Sequence, residues 1–376
     1  MIYRTIGKTG LDASVLGIGC MRLPIVEGDS DKIDYEKGTE MVRYAIDHGV
    51  NYVDTAYPYH GGNSETFLGE ALKDGYRERV ILITKAPTWL LNEHADFDKY
   101  LDEQLEKLQT DHLDIYLMHA LGKDRWDNLK KINVFEAIER AKASGKIKHV
   151  GFSFHDNLDQ FKEIVDGYNW DLCMIQFNYM DVLEQAGVEG LKYAESKGLP
   201  VIVMEPLKGG MLATPPEDVE ALWASHTDKK SPVEWALQYV ANFENVKVVL
   251  SGMSTMEQLK ENIEIADRLL PGALDDEGLA LIERVRATYE SRVQVPCTQC
   301  KYCMPCPHGV EIPRSFTLYN RAHIFGAIDS IKTQYNAIAD ESKASNCKEC
   351  GLCEPQCPQK IEIIQMLKEV AIEFER

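Results

Sequence analysis

The sequence predicts an α/β protein: a parallel (β/α)8 barrel followed by a small domain rich in cysteine. Short apolar runs alternate with amphipathic stretches over roughly the first 270 residues, as in chains of βαβ units. There are eight such runs, and after Pro296 the composition changes abruptly to cysteine, proline and short helical patterns. We therefore predict a barrel domain at residues 1–290 and a second domain at residues 291–376.

The eight apolar runs are the predicted barrel strands. They begin at Val15, Asn51, Val80, Leu113, Ile147, Leu172, Pro200 and Val246. Eight strand–helix units favour a closed barrel. A doubly wound sheet is the alternative, but the G-x-G-x-x-G turn that this fold often carries after its first strand is absent. Residues 3–14, with the turn Gly7-Lys8-Thr9-Gly10, predict a hairpin that plugs the bottom of the barrel.

Composition and charge narrow the class of protein. The formal net charge is −19, so a nucleic acid is not expected as a partner, because phosphate binding needs a basic surface. No apolar run is long enough to predict a membrane span. The N-terminus lacks the pattern of a signal peptide, so we expect a cytoplasmic protein.

Eight of the 10 cysteines lie in two motifs near the C-terminus. The second motif matches the bacterial ferredoxin run C-x2-C-x2-C-x3-C-P, whose fourth cysteine ligates the other cluster, and the first motif is one residue shorter before its last cysteine. We predict an α-helical, ferredoxin-like domain with two [4Fe–4S] clusters, and rank zinc second and disulfides third. One cluster takes Cys297, Cys300, Cys303 and Cys357, and the other takes Cys306, Cys347, Cys350 and Cys353.

The isolated Cys20 and Cys173 are predicted to be buried, small apolar residues.

The chemistry of the barrel is expected at the carboxyl ends of its strands, where barrel enzymes place their active sites. Four titratable residues follow or end successive predicted strands there: Asp54, Tyr59, Lys85 and His119. Each of these residues, taken alone, is equally well explained as a member of a buried ion pair or as a histidine of the core. The four together predict a proton-donating site.

These motifs resemble the aldo/keto reductase superfamily. The resemblance covers roughly residues 1–290 and rests on Asp54-Thr55-Ala56 with Tyr59, on Thr84-Lys85, on Leu117-Met118-His119 and on Gly69-Glu70-Ala71-Leu72. With its cysteine-rich end, the whole chain resembles the ferredoxin-fused aldo/keto reductases. The resemblance implies that Tyr59 protonates the carbonyl oxygen, that Lys85 lowers the pKa of Tyr59, that Asp54 holds Lys85, and that His119 orients the carbonyl.

The resemblance also implies a site for NADP(H) or NAD(H). The expected contacts are Ser153, Gln176, Asn178, Pro206, Leu207, Lys208, Gly210, Ser251, Gly252, Ser254, Gln258, Glu261 and Asn262. Three positions depart from the family pattern. His155 lies in the Ser-Phe-His stretch where Ser-Asn is common, Met204-Glu205 replaces an aromatic residue before the Pro-Leu loop, and Gln258 stands where a basic residue often meets the 2′-phosphate.

The predicted cofactors raise a problem of electron number. A hydride carries two electrons, whereas a [4Fe–4S] cluster carries one, and a flavin is the usual converter. The first hypothesis is therefore an NAD(P)(H) enzyme that interconverts a small carbonyl and an alcohol. The second is a flavin enzyme, with FMN, linked to a ferredoxin or another redox protein. The third is a non-enzymatic regulator, which would not need all four barrel residues.

Three aromatic residues are the candidates to line the mouth of the barrel: Tyr57, Trp89 and Trp126.

Overall fold

The computed structural model describes residues 1–376 and divides into two compact units. The first unit contains Met1–Gly209 and Val233–Asp275, and the second contains Gly210–Pro232 and Asp276–Arg376. This division differs from the predicted boundary between residues 290 and 291. The segment Gly210–Pro232 and the helix Asp276–Glu290 belong to the same unit as the cysteine-rich part. That boundary stays a prediction.

The first unit is a closed barrel of eight parallel strands, as predicted. The strands are β3 (Leu16–Gly19), β4 (Tyr52–Asp54), β5 (Ile81–Ala86), β6 (Leu113–Leu121), β7 (Ile147–Phe154), β8 (Leu172–Gln176), β9 (Val201–Met204) and β10 (Val246–Ser251). Each strand pairs with its neighbour in sequence, and β10 closes the ring on β3. All eight apolar runs form strands because these residues are buried on both faces, as in parallel sheets.

A short hairpin precedes the barrel, as predicted. It pairs β1 (Tyr3–Thr5) with β2 (Asp12–Ser14) in antiparallel fashion. Ile6 and Ala13 are fully buried in one apolar cluster with residues of the barrel strands. Gly7 lies against Pro200, which directly precedes β9. The hairpin therefore fills the end of the barrel at which the strands begin.

Helices connect the strands of the first unit. They are α1 (Tyr35–Asp47), α2 (Ser64–Ala71), α3 (His94–Leu108), α4 (Lys123–Lys131), α5 (Val134–Ala143), α6 (Leu158–Gly167), α7 (Gly187–Ser196), α9 (Pro232–Ala241) and α10 (Met256–Ala266). Apolar faces of these helices pack on the strands, whose outward side chains are apolar as well. The barrel interior is filled by side chains such as Ile83, Leu117 and Ile202, so it is a packed core rather than a channel.

The second unit is helical. It contains α8 (Glu217–Ser225), α11 (Asp276–Glu290), α12 (Ile312–Phe325), α13 (Ile328–Asn336) and α14 (Ile363–Phe374). Its core includes Val310, Phe316, Tyr335, Leu367 and Phe374, and the cysteine loops pack against this core. Short helices and loops are what the composition after Pro296 predicted. None of the helices in the chain is long and apolar enough to cross a membrane.

Candidate active site and cysteine loops

The four predicted catalytic residues lie on neighbouring strands at their carboxyl ends. Asp54 is the last residue of β4, Lys85 lies near the end of β5, and His119 lies near the end of β6. Tyr59 follows β4 in a turn of 3-10 helix. Because β4, β5 and β6 are adjacent in the barrel, residues far apart in sequence come together in space.

Lys85 is the centre of the group. Its Nζ donates hydrogen bonds to Asp54 Oδ1 at 2.6 Å, to the Thr55 carbonyl at 2.8 Å and to the Tyr59 hydroxyl at 3.2 Å. Lys85 and Asp54 are both 1% exposed. Burial lowers the pKa of Lys85, but Asp54 and Tyr59 raise it by more, so its pKa lies above the ordinary value. Lys85 is therefore a buried cation held by three acceptors.

The pKa of Tyr59 has two opposing causes. Burial raises the pKa of Tyr59 above its ordinary value, and Lys85 lowers it by a smaller amount. The effect of Lys85 thus has the expected sign, but the net shift is upward because the ring is buried. Burial likewise raises the pKa of Asp54, and Lys85 opposes that rise. Tyr59 is a neutral phenol at physiological pH, which is the form that can give a proton.

His119 lies on an irregular turn of its strand. The register between β6 and β7 shifts between Met118 and Leu121, and Ala120 has a φ of 51°. Thr88 Oγ1 donates to the His119 carbonyl at 2.6 Å, and Ser153 Oγ accepts from the Ala120 N–H at 2.7 Å. Such bulges re-aim side chains near active sites.

The imidazole of His119 faces Tyr59, with ring centroids 6.2 Å apart. Burial lowers the pKa of His119 well below its ordinary value, and the positive charge of Lys85 lowers it further. Its Nδ1 is buried and has no hydrogen-bond partner in the chain. His119 is therefore neutral at physiological pH and retains hydrogen-bonding capacity for a ligand.

A buried carboxyl group that the sequence analysis missed lies behind Lys85. Glu65 is fully buried and accepts hydrogen bonds from Thr84 Oγ1, at 2.6 Å, and from Gln104 Nε2. Gln104 Nε2 also donates to the Lys85 carbonyl at 3.1 Å. Burial raises the pKa of Glu65. The network fixes the backbone that carries Lys85. In the sequence, only the position of Glu65 shortly after the Tyr59 turn hints at this role.

A second residue that the sequence analysis missed, Asp181, joins three of the predicted cofactor contacts. Its Oδ2 accepts from Gln176 Nε2 at 2.6 Å and from Asn178 Nδ2 at 2.9 Å. Lys208 Nζ lies 2.6 Å from both carboxylate oxygens. The carboxylate thus orients the Gln176 amide so that its Nε2 faces Asp181, and it neutralises Lys208, which was predicted as a cofactor contact.

The other predicted cofactor contacts lie in the segment after β9, at the end of β10 and in the loop and helix that follow β10. Pro206 is buried and Leu207 is half-buried after β9, and Gly210, with a φ of 96°, is exposed in the second unit. After β10, Ser251 Oγ accepts from Asn262 Nδ2 at 3.0 Å. Ser254, Gln258 and Glu261 lie at the start and on the exposed side of α10, with the Ser254 N–H bonded to Gln258 Oε1 at 2.9 Å.

Arg22 joins these loops, and the sequence analysis missed it. Its carbonyl accepts a hydrogen bond from Ser254 Oγ at 2.9 Å. Its aliphatic stem packs over Gly252, where an added Cβ would lie 3.3 Å from Arg22 carbons, and its guanidinium reaches Gly209, where a Cβ would lie 3.2 Å from Nη2. An exposed cation therefore spans two segments that contain predicted cofactor contacts.

One of the three mouth candidates, Trp126, proves to be a packing residue. Trp126 is 1% exposed and packs between helices against Phe135 and Trp170, so its prediction as a mouth residue is wrong. It was misplaced because α4 turns its apolar face toward its neighbours. Tyr57 is bonded to Glu103 and packs on Tyr100. Trp89 is 39% exposed, and its ring lies 5.3 Å from that of His119.

The eight clustered cysteines line two cavities of the second unit. One cavity is bordered by Cys297, Cys300, Cys303 and Cys357, and the other by Cys303, Cys306, Cys347, Cys350 and Cys353. No three His, Cys, Asp or Glu side chains close on a single-ion site, and all ten cysteines are free thiols. Cys20 and Cys173 are fully buried, as predicted, and burial raises the pKa of both thiols.

The two cysteine motifs share one loop conformation. Gln299 and Lys301 in the first motif, and Glu349 and Gly351 in the second, have φ values of 56°, 63°, 54° and 72°. These residues stand two and four positions after the first cysteine of each motif. The loops thus bend alike despite the shorter first motif, and their thiolates and cavities fit an iron–sulfur group.

Comparison with known proteins agrees with this geometry. Residues 15–286 match the model of the aldo/keto reductase family, and residues 296–362 match a 4Fe-4S dicluster domain. The chain is 30% identical to L-galactose dehydrogenase from Arabidopsis thaliana, over 75% of this chain and 93% of that protein. The chain therefore belongs to the aldo/keto reductase family, a family of oxidoreductase enzymes, and carries a 4Fe-4S domain at its C-terminus.

Solved structures show the same barrel. An aldo-keto reductase from Bacillus halodurans in its holo form is 28% identical, with a TM-score of 0.65, and the match covers 76% of this chain and 96% of that one. An aldo-keto reductase from Klebsiella pneumoniae in complex with NADPH superposes with a TM-score of 0.62 at 22% identity, again over 76% of this chain and 96% of that one. Both matches concern the barrel fold.

Proposed function

We propose that the protein interconverts a carbonyl and an alcohol with NAD(P)(H), with Tyr59 as the proton donor. The observation that carries this proposal is the buried contact of Lys85 Nζ with both Asp54 and the Tyr59 hydroxyl. Bound NAD(P)H supplies the hydride. The neutral Tyr59 hydroxyl gives its proton to the carbonyl oxygen, and Lys85 stabilises the phenolate that remains. Asp54 holds Lys85 in place.

His119 completes the proposed oxygen-binding group. Because its imidazole is neutral, one ring nitrogen carries a proton and donates a hydrogen bond to the substrate oxygen. Its position is supported by the contacts of Thr88 and Ser153 with the bulged backbone. A donor that is already in place costs no reorganisation when charge develops on that oxygen. His119 therefore orients and polarises the carbonyl.

The cofactor contacts are proposed from the loops after β7, β8, β9 and β10. Gln176 offers its Oε1 atom, because Asp181 holds its Nε2. Arg22 and the N-terminus of α10 are positioned for phosphate groups. Lys208 is already paired with Asp181, so we infer that Arg22 is the principal cation for the phosphates.

The cysteine loops are proposed to hold two [4Fe–4S] clusters with the interleaved ligand sets given above. The division of cysteines between the two cavities supports this assignment, with Cys357 in the cavity of the first motif and Cys306 in that of the second. We propose that the clusters pass electrons to a ferredoxin or another redox protein, in the cytoplasm, where thiols stay reduced. A nucleic-acid partner is not proposed for a chain of charge −19.

A flavin-linked reaction is the second candidate. Clusters exchange single electrons, so a hydride enzyme that used them would need a two-to-one converter such as FMN. The contacts of Gln176, Asn178 and Lys208 with Asp181 also favour the flavin-linked reaction. These contacts leave fewer free polar groups for a nicotinamide. Both candidates use the same barrel.

Purification without oxygen, followed by iron, sulfide and flavin analysis, separates these candidates. We expect about eight iron and eight sulfide per chain for two clusters, and NADPH-dependent reduction of a simple aldehyde without bound flavin. Tyr59→Phe should lower kcat by about 100-fold to 10,000-fold, the usual contribution of a general acid, with iron content unchanged. Full turnover by Tyr59→Phe would contradict the proposal, and stoichiometric FMN would make the flavin reaction the better one.

A further inference from the structure

One cation lies beside His119 and has no role in the reaction described so far. Arg125, in the first turn of α4, places its guanidinium carbon 5.5 Å from the centre of the Trp89 ring. The Trp89 ring in turn lies 5.3 Å from the imidazole of His119, which faces Tyr59. The rings of Trp89 and His119 thus lie between Arg125 and the proton donor.

The charge of Arg125 is not compensated by a carboxylate of the chain. On the same helix, Lys123 and Lys130 both pair with Asp127, whereas Arg125 forms no ion pair. Its one hydrogen bond runs from Nη1 to the Ala120 carbonyl at 2.6 Å. A guanidinium presents five N–H donors in a fork that matches a carboxylate.

The surroundings of His119 have a positive potential. Besides burial, the charges of Lys85, His155 and Arg125 lower the pKa of His119. Glu205 acts on His155, whose pKa it raises against the lowering effect of burial. Lys85 is paired with Asp54, so Arg125 is the uncompensated cation, and an anion is favoured on the side of His119 toward Trp89 and Arg125.

We propose that Arg125 and Trp89 form a subsite that binds the carboxylate of an acidic carbonyl substrate, such as an oxo acid or an aldehyde that bears a carboxylate. Arg125 binds the carboxylate, the half-exposed face of Trp89 covers the carbon skeleton, and the carbonyl lies toward His119 and Tyr59. This assignment rests on the proposed carbonyl–alcohol reaction and names its class of substrate.

A purely structural role for Arg125 predicts something different. Its bond to the Ala120 carbonyl supports a residue at φ 51° next to His119. If that were its only role, loss of Arg125 would misplace His119 and slow all substrates alike. Substrate recognition instead changes the preference between an acidic and a neutral aldehyde.

The first test compares 4-carboxybenzaldehyde with 4-nitrobenzaldehyde, which have similar shape and differ in charge. We expect the ratio of kcat/KM for the acidic to the neutral aldehyde to fall by about 10-fold to 100-fold in Arg125→Gln, the value of hydrogen bonds to a charged group. Arg125→Lys should restore part of the ratio because it restores the charge. Lys123→Gln, an exposed neighbour paired with Asp127, is the matched control and should leave the ratio unchanged. An unchanged ratio in Arg125→Gln overturns the proposal.

The second test does not depend on turnover. Calorimetric titration with benzoate and with benzamide measures binding to the full chain, with and without NADP+, and thermal melting shows that each variant is folded. We expect benzoate to bind more tightly than benzamide, and Arg125→Gln to remove the difference. Equal binding of the two probes to the unmodified chain overturns the subsite even if aldehydes are reduced. A benzoate preference that depends on Arg125, without any aldehyde reduction, retains the subsite and rejects the proposed reaction.

Discussion

The barrel site and the cysteine loops use polar side chains in opposite ways. In the barrel, Lys85 contacts Asp54, Tyr59 and a backbone carbonyl, so its charge is compensated within the chain. In the second unit, eight thiols border two cavities. The course of the loops decides which thiols border which cavity. The barrel site is thus organised by contacts within the chain, whereas the cysteine loops border cavities that fit an iron–sulfur group.

Removing the central cation of the barrel site should have the largest effect. Lys85→Met leaves Asp54 buried without a partner, and breaking a buried ion pair from one side costs about 3–5 kcal/mol. We expect a loss of that size in the free energy of unfolding, measured by denaturant titration, together with loss of turnover. The double variant Lys85→Met with Asp54→Asn should regain part of the stability but none of the turnover. A Lys85→Met protein as stable as the parent would mean that the contact is not an ion pair.

Serine variants of the cysteines test the interleaved ligand sets by iron content. Cys357→Ser should lower the iron content from about eight to about four per chain, because one of two four-iron clusters is lost. Adding Cys297→Ser, from the same set, should lower it no further, whereas adding Cys306→Ser should remove the rest. Barrel turnover with NADPH is the control that separates the two regions. Additive loss from Cys357 with Cys297 would show that the ligands are grouped otherwise.

Arg22→Gln should weaken cofactor binding. A hydrogen bond to a charged group contributes about 1.5–3 kcal/mol, so we expect the Kd of NADPH to rise about tenfold or more, measured by fluorescence titration. Asp181→Asn is the informative comparison, because it releases Lys208 and should strengthen phosphate binding. If Arg22→Gln leaves the Kd unchanged while Lys208→Gln raises it, the phosphates are bound at Lys208 instead.

The smallest effect concerns pH. The neutral phenol is the active form for reduction, and burial raises the pKa of Tyr59 above its ordinary 10.0, so activity should be retained up to pH 10 and fall above it. The pKa of His119 is lowered from 6.5, so its protonation should reduce activity only as the pH falls below 6.5. A kcat/KM profile for a neutral aldehyde between these limits should be flat. A fall in activity near pH 8 would show that Lys85 lowers the pKa of Tyr59 by more than burial raises it.

The sequence predicted the parts of the molecule that depend on local pattern. Apolar runs located all eight strands, and because parallel strands end at the same edge, Asp54, Lys85 and His119 were expected to meet there. Cysteine spacing predicted the second unit in the same way. Glu65, Asp181 and Arg22 were missed, because each acts through partners that the fold brings from distant segments. The net pKa of Tyr59 was also out of reach, since it depends on burial of the ring, which periodicity does not quantify.

The proposed crossing of ligands between the two cysteine motifs has a consequence for biosynthesis. On the proposed ligand sets, a growing chain that has released Cys297, Cys300 and Cys303 still lacks Cys357 for the first cluster, and it holds only Cys306 of the second set. Cys357 is the last of the proposed ligands to be added. The barrel, whose strands end at Ser251, is complete well before that point. On the proposed assignment, neither cluster can be completed until the barrel strands have been made, so the barrel has time to fold before its iron is bound.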